Sequence, residues 1–434
     1  MTTFDRRGFL KMLGAGASLA ALPRAVSAQT TAPRVVVIGG GFGGATVAKY
    51  VRMWGGNVEV TLVDANAAHT SCVLSNLVVT GALSMTRITL GFGALATNHG
   101  VRIVQGKALG VDPAGGRVAV QTATGIVDLE YDHLVLSPGI DFAPAPGVWD
   151  ANQAPHAWQA GPQTTLLKNQ LAAMRSRDVF VMTVPKSPYR CPPGPYERAC
   201  VVADYLKRKG RTGAKVIVLD ANASIQAEPE AFTNAFNNTH KGWIQYVPNA
   251  PVLSVNSATR SIVTSALTVS NARVLNYIPN QRAGGIAASL GVNAAGFVPV
   301  DPLTYALAAY PDIHVIGDSC AVPASDGKAV PKSAHMANAE AKVCADAIVR
   351  ALNGEAPDTD IATSSACYSP ITSKSASWLS ANFLYGDIVD ANGVVKGKGM
   401  QRVDLGEAPA AQVGGDSLED MYTWADSLFS DCYT

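Results

Sequence analysis

Residues 34–44, RVVVIGGGFGG, constrain the fold more than any other stretch of the chain. Val35, Val36, Val37 and Ile38 form an unbroken branched apolar run, which predicts a short strand buried on both faces. Gly39, Gly41 and Gly44 fall at the G-x-G-x-x-G spacing, and a helix is expected over 43–53. In such a turn the first glycine permits the tight bend, the second lets a pyrophosphate approach the backbone, and the third lets helix pack closely on strand. The helix N-terminus then offers unpaired N–H groups to the phosphates. A second strand over 58–63 ends at Asp64, twenty residues past Gly44, where a carboxylate can hold a ribose hydroxyl. Strand, glycines, helix, strand and acid in that order predict a dinucleotide site.

At 434 residues the chain has room for two or three domains with substantial cores. With 48% hydrophobic and 15% charged residues it suits an α/β protein, and no apolar run beyond the first residues approaches a spanning helix. Those first residues read as a leader rather than as part of the fold. Arg6-Arg7 and Lys11 precede a mild apolar stretch, and Val26-Ser27-Ala28 supplies a small-residue cleavage site. This is the pattern of twin-arginine export, so residues 1–28 are expected to be removed and the mature protein to be periplasmic. Cleavage after Ala28 takes off four basic residues and one acidic one and leaves a net charge of about −2 in place of +1. No basic footprint for nucleic acid remains. An oxidising compartment holds seven cysteines, an odd number, so at least one is free or bonded to something other than cysteine.

After Asp64 the chain passes His69, Thr70, Ser71 and Cys72 where it leaves the second strand's carboxyl end, the edge at which ligands sit in doubly wound sheets. A strand over 101–107, a hairpin over 117–131 turning at Thr124-Gly125, and a returning strand over 133–137 follow, ending at Ser137-Pro138-Gly139. Far downstream, a strand from Ile313 runs into Gly317-Asp318, with Asp318 placed to meet a ribitol hydroxyl, and a helix is expected over 331–350. Two-dinucleotide flavoproteins are built with such an antiparallel excursion and such a late final strand. A discontinuous FAD-binding domain over 34–160 and 286–355 is therefore expected.

The inserted region, 161–285, repeats the topology with a strand over 178–184, a helix over 195–209, a strand over 215–219 ending at Asp220, and a closing strand over 272–278. Where a nicotinamide domain carries glycines, this chain reads PKSPYRCPPGPYE from Pro185 to Glu197. Prolines lack the N–H donors and the backbone freedom of a pyrophosphate cradle, which argues against NADH or NADPH as donor. From Ile361 onward the composition shifts to Ser, Ala and Gly around Cys367, a flexible-looking segment. The tail puts Leu418, Met421, Tyr422, Ala425, Leu428 and Phe429 on one helical face, expected to dock on the protein itself.

No C-x-x-C-H motif for attached haem and no metal-ligand spacing occur, and the seven histidines are scattered. Only His69 draws notice, being close to Cys72. Cys191 lies in the proline loop at a strand's carboxyl end near a helix start, where a thiolate is favoured. Cys367, 176 residues on, lies in a segment able to fold over the same mouth. Cys200 and Cys344 fall on expected helices, where packing is a sufficient role, Cys320 follows Gly317-Asp318, and Cys432 is near the end; which of the four pair is left open.

Together the leader, the glycine turn, His69-Thr-Ser-Cys72, the Cys191-Pro-Pro-Gly-Pro-Tyr-Glu197 loop, Val315-Ile-Gly-Asp318 and Lys332-Ser-Ala-His-Met-Ala-Asn338 resemble the flavoprotein subunit of flavocytochrome c sulfide dehydrogenase, over essentially the whole chain. The resemblance implies an α/β fold with two Rossmann-like domains of the glutathione-reductase type and a C-terminal α+β interface domain over 361–434. It implies FAD held at Gly39, Gly41, Gly44, Asp64, Gly139, Gly317 and Asp318 and tethered through Cys72. It also implies a redox disulfide of Cys191 with Cys367, Glu197 as a candidate base, and a separate cytochrome c subunit as acceptor. Hydrosulfide would then attack the disulfide to form a persulfide, and the released thiolate would reduce the flavin. Two alternatives remain at this point. A sulfide:quinone oxidoreductase shares the disulfide logic but calls for an apolar or basic amphipathic tail; a redox-inert flavin-binding scaffold would have lost one of the mouth cysteines.

Overall fold

The computed structural model describes residues 32–325, 329–390 and 392–434, and the expected leader over 1–28 lies outside the described residues. The first sheet has six strands in the order Ala306–Leu307, Tyr310–Val315, His133–Leu136, Arg34–Ile38, Glu59–Asp64 and Arg102–Gln105. All its pairings are parallel except that of the short edge strand Ala306–Leu307. Val37 at its centre lies opposite Leu62 on one side and Val135 on the other, and all three are fully buried. A parallel sheet covered on both faces needs such continuous apolar strands, and each buried side chain of this size contributes roughly 1.5–3 kcal/mol.

Gly39, at φ +99°, turns the chain from the first strand toward the helix Phe42–Trp54, one residue longer at each end than expected. A Cβ on Gly39 would stand 2.3 Å from the Ser137 carbonyl oxygen, and one on Gly44 would stand 1.7 Å from that of Gly39. Any side chain at either point would push helix and strand apart. The three-stranded antiparallel excursion Lys107–Asp112, Arg117–Thr122, Gly125–Glu130 is present, turning between Thr122 and Gly125.

A second parallel sheet runs Ile244–Val247, Lys215–Asp220, Val179–Val184, Val274–Asn276, with the helix Gly194–Arg208 after its third strand. The late helix begins at Ala334, three residues after the expected start, because the Ser333 hydroxyl accepts from Met336 N and caps it there. The segment after residue 361 forms a long antiparallel sheet of Ala362–Thr372, Ser375–Val389 and Val395–Glu407, followed by a helix, an α+β arrangement in which the flexible-looking stretch around Cys367 is a paired strand. Its small side chains permit close packing, and Ser365, Ser369 and Ser377 are buried in it.

The last helix, Gly415–Tyr433, buries Met421, Ala425, Leu428 and Phe429 in the core of the first sheet and packs on Phe42–Trp54. Asp431 fixes that contact, accepting from Lys342 (2.7 Å), Tyr50 (2.6 Å) and Asn338 (2.8 Å). Among the described residues no helix is long and apolar enough to cross a membrane.

Candidate active site

Four neighbouring strands of the first sheet end in residues singled out above. In spatial order their carboxyl ends lead to Gly317 and Asp318, to Gly139, to the glycine turn at Gly39 and Gly41, and to Asp64. One Asp64 oxygen accepts from Gly40 N and the other from Asn66 N, both at 2.7 Å, so the acid is locked beside the turn. Gly317 N donates to the buried Glu340 carboxyl at 2.7 Å, and Gly139 O accepts from Gly284 N at 2.9 Å. Asp318 faces Arg190 across 3.8 Å. Burial raises the Asp318 carboxyl, with Arg190 and Lys332 opposing. Three buried polar atoms along this edge lack any hydrogen-bond partner: Asp318 Oδ1, Arg190 Nε and His69 Nε2. The His69 ring stands 3.7 Å from where a Gly41 Cβ would be and lies stacked on Tyr433. Buried groups of this kind ordinarily find partners, so the edge is built for a polar occupant.

Beside it opens a cavity whose lining includes Cys72, Cys191, Glu197 and Cys367. Cys72 follows the short strand Ala68–Thr70. Cys191 sits at φ +58° ahead of the helix Gly194–Arg208, a conformation costing on the order of 1–3 kcal/mol for a residue with a Cβ. Its amide donates to Lys332 O (2.7 Å) and its carbonyl accepts from Gly194 N (2.9 Å), which hold the bend. A Cβ on Gly194 would fall 2.7 Å from Cys191 Sγ and 2.9 Å from Trp158, so this glycine makes the room for the thiol.

Cys367 comes from the strand Ala362–Thr372. None of the seven cysteines is bridged, and Cys191 and Cys367 face the cavity as thiols. The expectation of a favoured thiolate at Cys191 is corrected here. Burial raises its pKa well above the usual thiol value, with Cys367, Glu197 and Cys72 adding to the shift, and this outweighs Arg190. Cys367 is pushed up to about 12, first by burial and then by Glu228, Glu197 and Cys72.

Glu197 lies on the first turn of the helix Gly194–Arg208 and is almost fully buried. Asn76 Nδ2 donates to its Oε1 at 2.9 Å, yet burial prevails and raises the carboxyl to about 8. Asn76 Oδ1 in turn accepts from Arg198 Nε at 2.8 Å. Arg198 is 1% exposed and also donates to His156 O, Ala157 O and Asn276 Oδ1, with its guanidinium over the Trp158 ring. Asn76, Arg190 and Arg198 were not picked out from the sequence. The available signal was two charged residues, Glu197 and Arg198, at the head of a helix that turns apolar directly after them.

The turn of the second sheet is occupied by its own side chains. Lys186 N donates to Asn280 Oδ1, Ser187 N to Asn222 Oδ1 and Arg190 N to Gln281 Oε1. Asp220, where a ribose-binding acid would stand, accepts from Tyr196 (2.7 Å) and Tyr246 (2.9 Å). His156, His240 and His314 are buried and hydrogen-bonded within the structure. Among the described residues no cluster of three His, Cys, Asp or Glu side chains could hold a metal ion.

Residues 164–279 match the family described as sulfide dehydrogenase [flavocytochrome c] flavoprotein chain, central, and residues 33–176 match pyridine nucleotide-disulphide oxidoreductase. The sulfide dehydrogenase [flavocytochrome c] flavoprotein chain of Chlorobaculum thiosulfatiphilum is 53% identical over 45 residues, covering 94% of that relative and 10% of this chain. The ferroptosis suppressor protein 1 of Taeniopygia guttata is 37% identical over 116 residues, 26% of this chain; the chain spans only 28% of that relative's length. Among solved structures, the sulfide:quinone oxidoreductase of Aquifex aeolicus superimposes with a TM-score of 0.72 at 18% identity, covering 93% of this chain and 92% of that one. An NAD-dependent persulfide reductase from A. fulgidus gives 0.59 at 14% identity, covering 92% and 77%. At these identities the structural likeness is one of fold. The α/β architecture of the two-dinucleotide flavoproteins, expected from the glycine turn and the late Gly317-Asp318 strand, is the one this chain adopts.

Proposed function

Since the chain belongs to the family of flavocytochrome c sulfide dehydrogenase flavoprotein chains, we propose that it oxidises hydrogen sulfide at the cavity of Cys191 and Cys367 and delivers the electrons to a cytochrome c subunit. One observation carries this reading: Cys72, Cys191, Cys367 and Glu197, far apart in sequence, line a single cavity next to the dinucleotide edge. The residues at that edge suit FAD, since Gly39 and Gly44 set the tight turn, Gly41 leaves room beside it, and Asp64, Gly139, Gly317 and Asp318 follow the neighbouring strand ends. The unpartnered Asp318 Oδ1, Arg190 Nε and His69 Nε2 supply polar contacts for it. Cys72 is the candidate for a thioether to the flavin. When bound, FAD supplies a two-electron acceptor able to release electrons singly to a haem.

In the working state Cys191 and Cys367 are a disulfide. Hydrosulfide attacks one of its sulfurs; the bridge breaks, a persulfide forms on that cysteine, and the other leaves as thiolate. Glu197 takes a proton from incoming hydrogen sulfide. A quinone acceptor would ask for an apolar tail free to reach a bilayer, whereas the helix Gly415–Tyr433 spends its apolar face on the protein itself. The leader places this chemistry in the periplasm after twin-arginine export, and a mature N-terminus near residue 29, read by mass spectrometry, tests that.

The deciding experiment is an anaerobic sulfide titration of the flavin spectrum, with and without cytochrome c. Cys191→Ser and Cys367→Ser are expected to keep flavin and dithionite reduction but lose rapid reduction by sulfide; wild-type rates in either would sink the disulfide mechanism. A carboxyl raised to about 8 becomes a base only as pH climbs through that value. Sulfide-driven reduction should therefore rise through about pH 8 in the wild type. In Glu197→Gln that rise should be lost, at a cost of roughly a hundredfold in rate.

A further inference from the structure

Hydrogen sulfide brings two protons into the site, and the structure holds two buried carboxyls, one toward each thiol. Glu197 acts on Cys191, whereas the carboxyl that acts most strongly on Cys367 is Glu228, ahead of Glu197. Glu228 is 1% exposed and sits at φ +52° just before the helix Pro229–Asn234. Ser369 Oγ donates to its Oε1 at 2.7 Å, and Ser377 stands beside it, with Glu228 Oε2 and Ser377 Oγ each left without a well-formed hydrogen bond. Alternation along the strand Ala362–Thr372 puts Ser365, Cys367 and Ser369 on one face, so the hydroxyl that meets Glu228 neighbours the thiol. The Glu228 backbone amide donates to Glu407 Oε1 at 3.4 Å, and Glu407 is half-buried. Packing alone gives no reason to bury a strained, incompletely paired carboxyl here.

We propose that Glu228 accepts the second proton, from sulfur bound at Cys367, by way of Ser369. This rests on the sulfide-oxidising reading and names Cys367 as the cysteine attacked. Hydrosulfide bonds to Cys367 sulfur, the bridge breaks, and Cys191 leaves with the bonding pair as thiolate. The S–H bond of the new persulfide then breaks and an O–H bond forms on the Glu228 carboxylate. Sulfide sulfur is oxidised, the bridge is reduced, and the proton is accounted for. The groups facing Glu228 are Glu197 and Cys200 from the helix Gly194–Arg208, Cys367 from its strand and Glu407 from Val395–Glu407. All are acidic, and burial raises the Glu228 carboxyl to about 7, near the value that suits accepting and releasing a proton at neutral pH.

The test is rapid mixing of holoprotein with sulfide across pH, paired with iodoacetamide alkylation of Cys367 in the reduced protein, read by mass spectrometry. In the wild type the carboxyl pair gives a rise with apparent values near 7 and 8. Glu228→Gln keeps an acceptor for Ser369, but should lose the lower step and slow reduction by on the order of a hundredfold. It should also speed alkylation of Cys367 severalfold, because a negative charge no longer faces the thiol; a merely structural role would not push the two readouts in opposite directions. Ser369→Ala should slow reduction without speeding alkylation, and serves where the glutamine variant folds poorly. Wild-type rates and pH profiles in both variants overturn the role of Glu228. A wild type inert to sulfide overturns the sulfide reading instead, while the alkylation arm still reports the coupling of Glu228 to Cys367.

Discussion

The two parallel sheets end in turns of the same topology and opposite chemistry. In the first, strand Arg34–Ile38 leads through glycines to the helix Phe42–Trp54, and the helix opens without a side-chain cap of its own. In the second, strand Val179–Val184 leads through prolines to the helix Gly194–Arg208, and the amides of Lys186, Ser187 and Arg190 are already taken by Asn280, Asn222 and Gln281. In the first turn Gly40 N is held by Asp64, but the amides that open its helix have no side-chain cap, which suits a dinucleotide phosphate. In the second, where the turn amides are taken up, the same place in the fold is released for another purpose. Here it carries Cys191 and Glu197 into the cavity beside the first site.

Breaking the first turn should have the larger effect. Gly44→Val puts a Cβ 1.7 Å from the Gly39 carbonyl oxygen, closer than any atom pair tolerates, so strand and helix must part. The expected outcome is protein purified without flavin and destabilised by about 1–3 kcal/mol or more, checked by the absorbance spectrum and thermal melting. A yellow, stable variant would mean that the cofactor does not depend on this turn.

Breaking the second turn should spare the flavin and injure the chemistry. Gly194→Ala would crowd Cys191 Sγ and Trp158, displacing the thiol by a few tenths of an ångström or more. Flavin content should stay at the wild-type level while sulfide-driven reduction falls by up to about a hundredfold, the effect expected of misplaced reacting atoms. Equal loss of both would show that the two turns are not separable.

The contrast between the turns was legible in the sequence because both depend on what the backbone can do. Glycine spacing and a run of prolines report available conformations and N–H donors directly, whatever surrounds them. Arg198, Asn76 and Glu228 were not legible, since their character comes from burial. In the sequence Glu228 reads as an ordinary acid between Ala227 and Pro229, and only the sheet after residue 361 encloses it. The strands of that sheet could not be placed from the residues themselves, because Ser, Ala and Gly carry little strand preference and are held by pairing over long strands. Cys191 and Cys367 stood out as residues, but the burial that raises their thiols could not be read from the helix start alone.

The smallest effect should come from loosening the second turn without blocking it. Asn222 is buried and ties three points together with four hydrogen bonds: its Oδ1 accepts from Ser187 N, its Nδ2 donates to Pro185 O, and both its backbone N–H and its Nδ2 donate to Asp220 Oδ1. Asn222→Ala would leave the Ser187 amide and the Pro185 carbonyl unsatisfied, at a cost of about 1–3 kcal/mol in stability by denaturant unfolding. Sulfide-driven reduction should change less than about twofold, because Asn222 does not line the cavity. The freed amide should still not admit NADH, since Pro185 and Pro188 offer no donors and Asp220 remains bound to Tyr196 and Tyr246. Titration of this variant with NADH is therefore expected to leave the flavin spectrum unbleached. Bleaching by NADH would show that the side chains, rather than the prolines, are what close this turn to a nicotinamide.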